Sequence, residues 1–138
     1  MKNIGLWIDR KKAILVIQTE QGERLQQIES GIGRHVRYHG ASHPKVPFSA
    51  QYQQGDDQLD NRFTEQINKF YEKVIAHLRE TDVVFIFGPG EAKLELEKRI
   101  AHEKIRAQIT GLETTDKMTE RQIMSKVRHY FKKLAAVS

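Results

Sequence analysis

The sequence predicts an α/β fold in three layers, helices on both faces of a mixed sheet, and three observations carry that prediction. The first thirty residues hold three strand-like runs separated by tight polar turns. The second half alternates helix-periodic segments with short apolar runs. Between two such segments lies Val83-Val84-Phe85-Ile86-Phe87, five consecutive β-branched or aromatic residues. A run of that kind suits a strand covered on both faces, and parallel sheets flanked by helices produce such strands.

Taken in order, Ile4 to Ile8 and Ala13 to Thr19 read as strands joined by the turn Asp9-Arg10-Lys11-Lys12. Gln21-Gly22 makes the next turn, and Arg24 to Glu29 alternates around Leu25 and Ile28, completing an antiparallel meander. Periodicity then stops. From Gly31 to Asp57 the chain carries Gly31, Gly33, Gly40, Pro44, Pro47 and Gly55, which predicts a long loop, and loops of that length inside a domain are usually functional. Leu59, Phe63, Ile67, Phe70, Tyr71, Val74 and Leu78 follow at three- and four-residue steps, the stripe of a long amphipathic helix. Gly88-Pro89-Gly90 ends the Val83 strand, and Glu91 falls in the first turn of a shorter helix to His102, where the macrodipole favours a negative charge. A strand near Ile105 to Leu112 precedes a last helix from Glu120 to Leu134, with Ile123, Val127, Tyr130, Phe131 and Leu134 inward. Thr119 and Gln122 form a capping box at its start.

With 138 residues, 38% hydrophobic and 30% charged, the chain is expected to form one domain over residues 1–138. A formal charge of +5 makes a polyanionic partner plausible. The absence of cysteine excludes disulfides and thiolate metal sites. No apolar signal core opens the chain and no segment is apolar enough to span a bilayer, so a cytoplasmic protein with no membrane partner is expected.

The densest chemistry lies in the long loop. Arg34, His35, Arg37, Tyr38, His39, His43 and Lys45 fall within twelve residues that contain no acidic side chain. Guanidinium and ammonium groups neutralise phosphates, and Tyr38 or an arginine plane can stack on an unpaired base, so this loop is the first candidate RNA-binding surface. A solvated loop is the plainer alternative. Arg121, Lys126, Arg128, Lys132 and Lys133 on the last helix form a secondary basic patch, against the alternative of a solvated face. His35, His39 and His43 recur at the spacing of helical metal ligands, but Gly33, Gly40 and Pro44 interrupt any helix there, and no metal site is expected. Gly88-Pro89-Gly90-Glu91-Ala92-Lys93 could cradle an anion, yet it lacks the Walker pattern and Glu91 would repel a phosphate. A plain strand-to-helix turn is expected.

The element order, a three-stranded antiparallel meander followed by αβαβα, is that of ribonuclease-H-like folds. More narrowly, the chain resembles the central domain of the archaeal and eukaryotic peptide-chain release factors and Pelota rescue factors. There too a basic loop precedes a long amphipathic helix, and a hydrophobic strand ends in a small-residue turn such as Gly88-Pro89-Gly90. The resemblance implies contact with the ribosome, through rRNA or tRNA. Release factors carry Gly-Gly-Gln in the loop to promote peptidyl-tRNA hydrolysis, whereas this loop offers Gly31-Ile32-Gly33 and Gln53-Gln54-Gly55. Hydrolysis is therefore not expected, nor is stop-codon decoding, since one domain uses up the chain.

A ribonuclease-H-like fold also raises a metal-dependent nuclease, in which clustered carboxylates hold two divalent ions. Asp9 ends the first strand, and Glu65 or Glu72 on the long helix could face it. The third carboxylate belongs where this chain has Gly88, while Asp82 stands at the other end of that strand. Asp9 reads more simply as a turn residue, and Glu65 as the partner of Lys69. The expectation is a factor of translation or ribosome rescue that binds RNA through a basic loop, with no catalytic residues and no cofactor. A protein-interaction or regulatory module on the same fold is the alternative.

Overall fold

The computed structural model describes residues 2–32 and 49–137, with side chains for 2–32 and 62–136. Strands β1 (Asn3–Ile8), β2 (Lys12–Thr19) and β3 (Gly22–Glu29) are followed by α1 (Ser49–Leu78), β4 (Val83–Gly88), α2 (Ala92–Glu103), β5 (Gln108–Thr114) and α3 (Glu120–Val137). The sheet order is β3-β2-β1-β4-β5. β1, β2 and β3 pair antiparallel, and β1–β4 and β4–β5 pair parallel, which is the mixed ribonuclease-H-like sheet expected.

Period-2 alternation divides the apolar residues between two cores. Ile4, Leu6, Ile8, Leu15, Ile17, Val84 and Ile86 face α1 and α2, meeting Phe70, Tyr71, Val74, Leu78, Leu96 and Ile100. Trp7, Ile14, Val16, Phe85 and Phe87 face the other way, against Ile123, Val127 and Phe131 of α3. Among the described residues one helix covers that second face, and it sits close. Gly5 makes room for it: a Cβ there would collide with both methyls of Val127. Gly111 serves Tyr130 in the same way, and the Tyr130 ring stacks on Phe85 at 3.8 Å and 7°. The capping box is formed: Thr119 N donates to Gln122 Oε1 at 2.9 Å, and Gln122 N donates to Thr119 Oγ1 at 3.2 Å.

Four expectations need correction. The loop does not run from Gly31 to Asp57, because α1 begins at Ser49. Pro47 is the last residue that blocks a helix, and a helix bears one interior glycine, Gly55, at a cost of about 1 kcal/mol. The fifth strand lies at Gln108–Thr114, three residues later at its start than Ile105. Lys104, in the left-handed conformation at φ 54°, closes α2 through its N–H to Ile100 O, and Ile105 is used in packing against the core. Glu91 is the N-cap of α2, and Glu95 is the acidic residue of its first turn. Glu65 and Lys69 are both exposed and form no ion pair with each other. On α1 the buried stripe also includes Ile75.

The close seat of α3 gives a prediction. Gly5→Ala forces Val127 or the helix to shift, and overpacking of this kind costs about 1–3 kcal/mol. Urea unfolding is expected to show a lower midpoint at unchanged m-value; an unchanged midpoint would mean that α3 is not held against β1.

Candidate nucleic-acid interface

β1 and β4 run parallel and end side by side, but the chain leaves them in opposite directions, β1 turning into β2 and β4 into α2. Such a switch point opens a crevice at the carboxyl ends of the strands. Asp9 shapes one wall. Its Oδ1 accepts from Lys11 N and Lys12 N, both at 2.8 Å, and its own N–H donates to Lys12 O at 3.0 Å. The other wall is Gly88-Pro89-Gly90. Gly88 has φ 147°, and a Cβ there would run into the Ile8 carbonyl, so only glycine lets the two strand ends lie this close. The crevice between them, about 530 Å³, is lined by Asp9, Arg10, Pro89, Gly90, Glu91 and Ala92.

Lys93 is buried and its ammonium donates to Gly90 O at 2.5 Å, so it fastens the strand-to-helix turn. Glu91 lines the crevice, which disfavours an anion. Glu65 and Glu72 are exposed on α1. Asp82 stands at the opposite edge, accepting from Lys2 N at 2.8 Å and from Arg106. Among the described residues no three His, Cys, Asp or Glu side chains gather as a metal site.

β3 runs parallel to β1, so the chain after it departs from this same edge. Ser30 N donates to Lys11 O at 2.9 Å, and Ser30 Oγ lies 2.6 Å from Arg10 O. Ile32 is buried in the core beside α1. Arg34, His35, Arg37, Tyr38, His39, His43 and Lys45 lie outside the described residues, but the segment that carries them starts at this fastening and ends at Ser49. Gln66 of α1 is level with Gly31. Residues 49–65 precede it in α1, about 25 Å of helix at 1.5 Å per residue, and Phe63 among them still packs against the core.

This edge adds cations that the linear reading missed. Lys11 is exposed next to Ser30. Arg10 is half-exposed and pairs with Glu95 Oε2 at 3.2 Å. Glu95 Oε1 in turn accepts from Tyr71 OH at 2.5 Å, and Arg99, which donates to Asn68 Oδ1, lies over the Tyr71 ring at 5.5 Å. Burial, then the hydrogen bond to Glu95, push the Tyr71 phenol above its usual range. The network ties the β1–β2 turn to both helices. No local pattern announces it, because Ser30 is about twenty residues from the turn and Glu95 is 85 from Arg10.

The secondary patch on α3 is divided. Arg128 is bound by Glu23 of β3, Nη2 to Oε1 at 2.6 Å and Nε to Oε1 at 3.0 Å. Lys126 pairs with Glu113 of β5 at 3.0 Å and lies 6.0 Å from the Phe87 ring. Arg121, Lys132 and Lys133 are exposed, with no ion pair among the described residues.

No protein-family model and no curated protein matches the sequence. Among solved structures, Thermoplasma acidophilum Pelota aligns with 87% of this chain and 30% of its own, at TM-score 0.52 and 11% identity. The chain is similar in fold to Pelota. Archaeoglobus fulgidus Pelota aligns with 93% of this chain and 31% of its own, at TM-score 0.50 and 11% identity. An archaeal translation termination factor matches 98% of this chain and 40% of its own, with TM-score 0.45 and 14% identity. The chain thus spans about a third of the length of the Pelota proteins. Its three-layer arrangement resembles their central domain. Among the described residues no helix is long and apolar enough to cross a membrane.

Glu23 supplies a pH test of the α3 seat. The hydrogen bond from Arg128 holds its carboxyl below the ordinary range, so the pair stabilises the fold above the unfolded value near 4.3. That contribution is lost as pH falls through the lowered folded value. Arg128→Gln is expected to lower the urea midpoint at about pH 7 and to match the parent chain at about pH 2. A difference that stays constant across that range would remove Glu23 from the account.

Proposed function

We propose that the chain is a cytoplasmic, ribosome-associated factor of translation or ribosome rescue that contacts rRNA or tRNA at the carboxyl edge of its sheet. The Pelota-like fold supports this reading, together with the position of the basic segment between Ile32 and Ser49. That segment is joined to the turn carrying Arg10 and Lys11 at one end and runs into α1 at the other. A segment with several cations and Tyr38 suits the surface of a folded RNA, where phosphates are neutralised and unpaired bases stack. The reading includes no hydrolytic step. Gly-Gly-Gln is absent from the sequence, and Asp9 spends its Oδ1 on its own turn.

If Arg34, Arg37 and Lys45 touch phosphates, log affinity for ribosomes or tRNA falls with log salt. Replacing all three by Ala is then expected to flatten the slope by roughly two units, with circular dichroism unchanged. Unaltered affinity and slope in that variant would exclude the segment as the contact. In parallel, ribosomes loaded with peptidyl-tRNA are expected to keep the peptide when the protein is added; peptide release that Asp9→Asn abolishes would make it an enzyme.

A further inference from the structure

We infer that the outer face of α3 is a second nucleic-acid contact, taking the phosphate backbone of double-helical RNA. This face lies on the opposite side of the sheet from α1 and α2, and the inference stands independently of the basic segment.

From Arg121 to Ser138 the chain contains no acidic residue. Helical spacing sorts the cations into two rows. Arg121 and Arg128 are seven residues apart, two turns, with Lys132 four further on; Lys126 and Lys133 are again seven apart. The Glu23 contact turns the first row toward β3, and the Glu113 contact turns the second toward β5. The two carboxylates fix one cation in each row, and the Arg128 side chain remains 60% exposed. Arg121 and Lys132, with no ion pair among the described residues, stand at the ends of the first row, about 16 Å apart at 1.5 Å per residue. Each strand of double-stranded DNA presents a phosphate about every 3.4 Å of axis, and duplex RNA is charged at least as densely, so a row of this length meets several.

The outer face also tells which RNA. Both aromatics of α3, Tyr130 and Phe131, are turned to the sheet, Tyr130 onto Phe85 and Phe131 into the core. The face therefore offers no tyrosine, phenylalanine or tryptophan ring to an unpaired base, and its cations stand in extended rows. Exposed Ser125 and His129 add donors of the kind that contact phosphate and ribose. Duplex RNA, read by shape, phosphate and 2′-hydroxyl, is the nucleic acid such a face fits.

The test uses the full chain and a fluorescent RNA duplex of about 20 base pairs and arbitrary sequence, somewhat longer than the ~16 that a double-stranded-RNA domain covers. Arg121→Gln with Lys132→Gln is expected to weaken binding about tenfold near 0.1 M salt and to flatten the salt slope by about two. Lys98→Gln with Lys104→Gln, an equal loss of charge on the opposite layer, is expected to leave both unchanged. Replacing Arg34, Arg37 and Lys45 by Ala is expected to spare duplex binding even where ribosome binding is lost, which separates this surface from the first. Equal weakening by the two paired variants, or no weakening by the α3 variant, would overturn the inference. So would competition by polyglutamate as effective as by unlabelled duplex, which would assign the face to an acidic protein.

Discussion

The parallel pairing of β1 with β4 is the contact on which the rest of the structure depends. It joins Asn3 to Val83 and Trp7 to Phe87, across eighty residues of chain, and unites the antiparallel meander with the α/β half. Because both strands are buried on both faces, their alternate residues supply the centre of two separate cores. The same pairing brings the ends of the two strands together, with Gly88 against the Ile8 carbonyl, and so creates the crevice and the edge from which the basic segment departs. Contacts between residues so far apart in sequence close a long loop, and that entropy is recovered only through the apolar surface they bury.

The two faces of the sheet are held differently. Two helices share the first, where the Arg10–Glu95–Tyr71 network links them to the β1–β2 turn. Among the described residues one helix, α3, holds the second, through close approach at Gly5 and Gly111 and through the flanking pairs of Arg128 and Lys126 with sheet carboxylates. Those pairs turn the two rows of cations on α3 toward β3 and β5, while the packing directs its tyrosine and phenylalanine rings inward.

Much of this was legible in the residues. Continuous apolar runs marked β1, β2 and β4, and three- and four-residue spacing marked the packed half of α1 and all of α3, because burial imposes those periods on composition. The capping box was legible because its hydrogen bonds are local. The start of α1 was hidden, since residues 49–57 carry no apolar stripe and include Gly55. β5 was displaced in the reading because Ile105 and Ala107 are apolar for packing around the end of α2, and the bulge in β4–β5 breaks the alternation of the strand itself. At the site, the basic segment could be seen as charge without acid, but the company of Ser30, Arg10 and Lys11 could not, and neither could the partners of Arg128 and Lys126. Each of those depends on pairing between strands or helices remote in sequence.

The central claim is that the carboxyl edge of the sheet meets ribosomal RNA or tRNA. Amide hydrogen exchange of the protein, free and bound to ribosomes, tests it most directly, since backbone that becomes covered exchanges more slowly. Protection is predicted for residues 9–12, 30–48 and the first turns of α1, with β5 and the Asp82 edge unchanged. Absence of protection at the carboxyl edge in the bound protein would contradict the account.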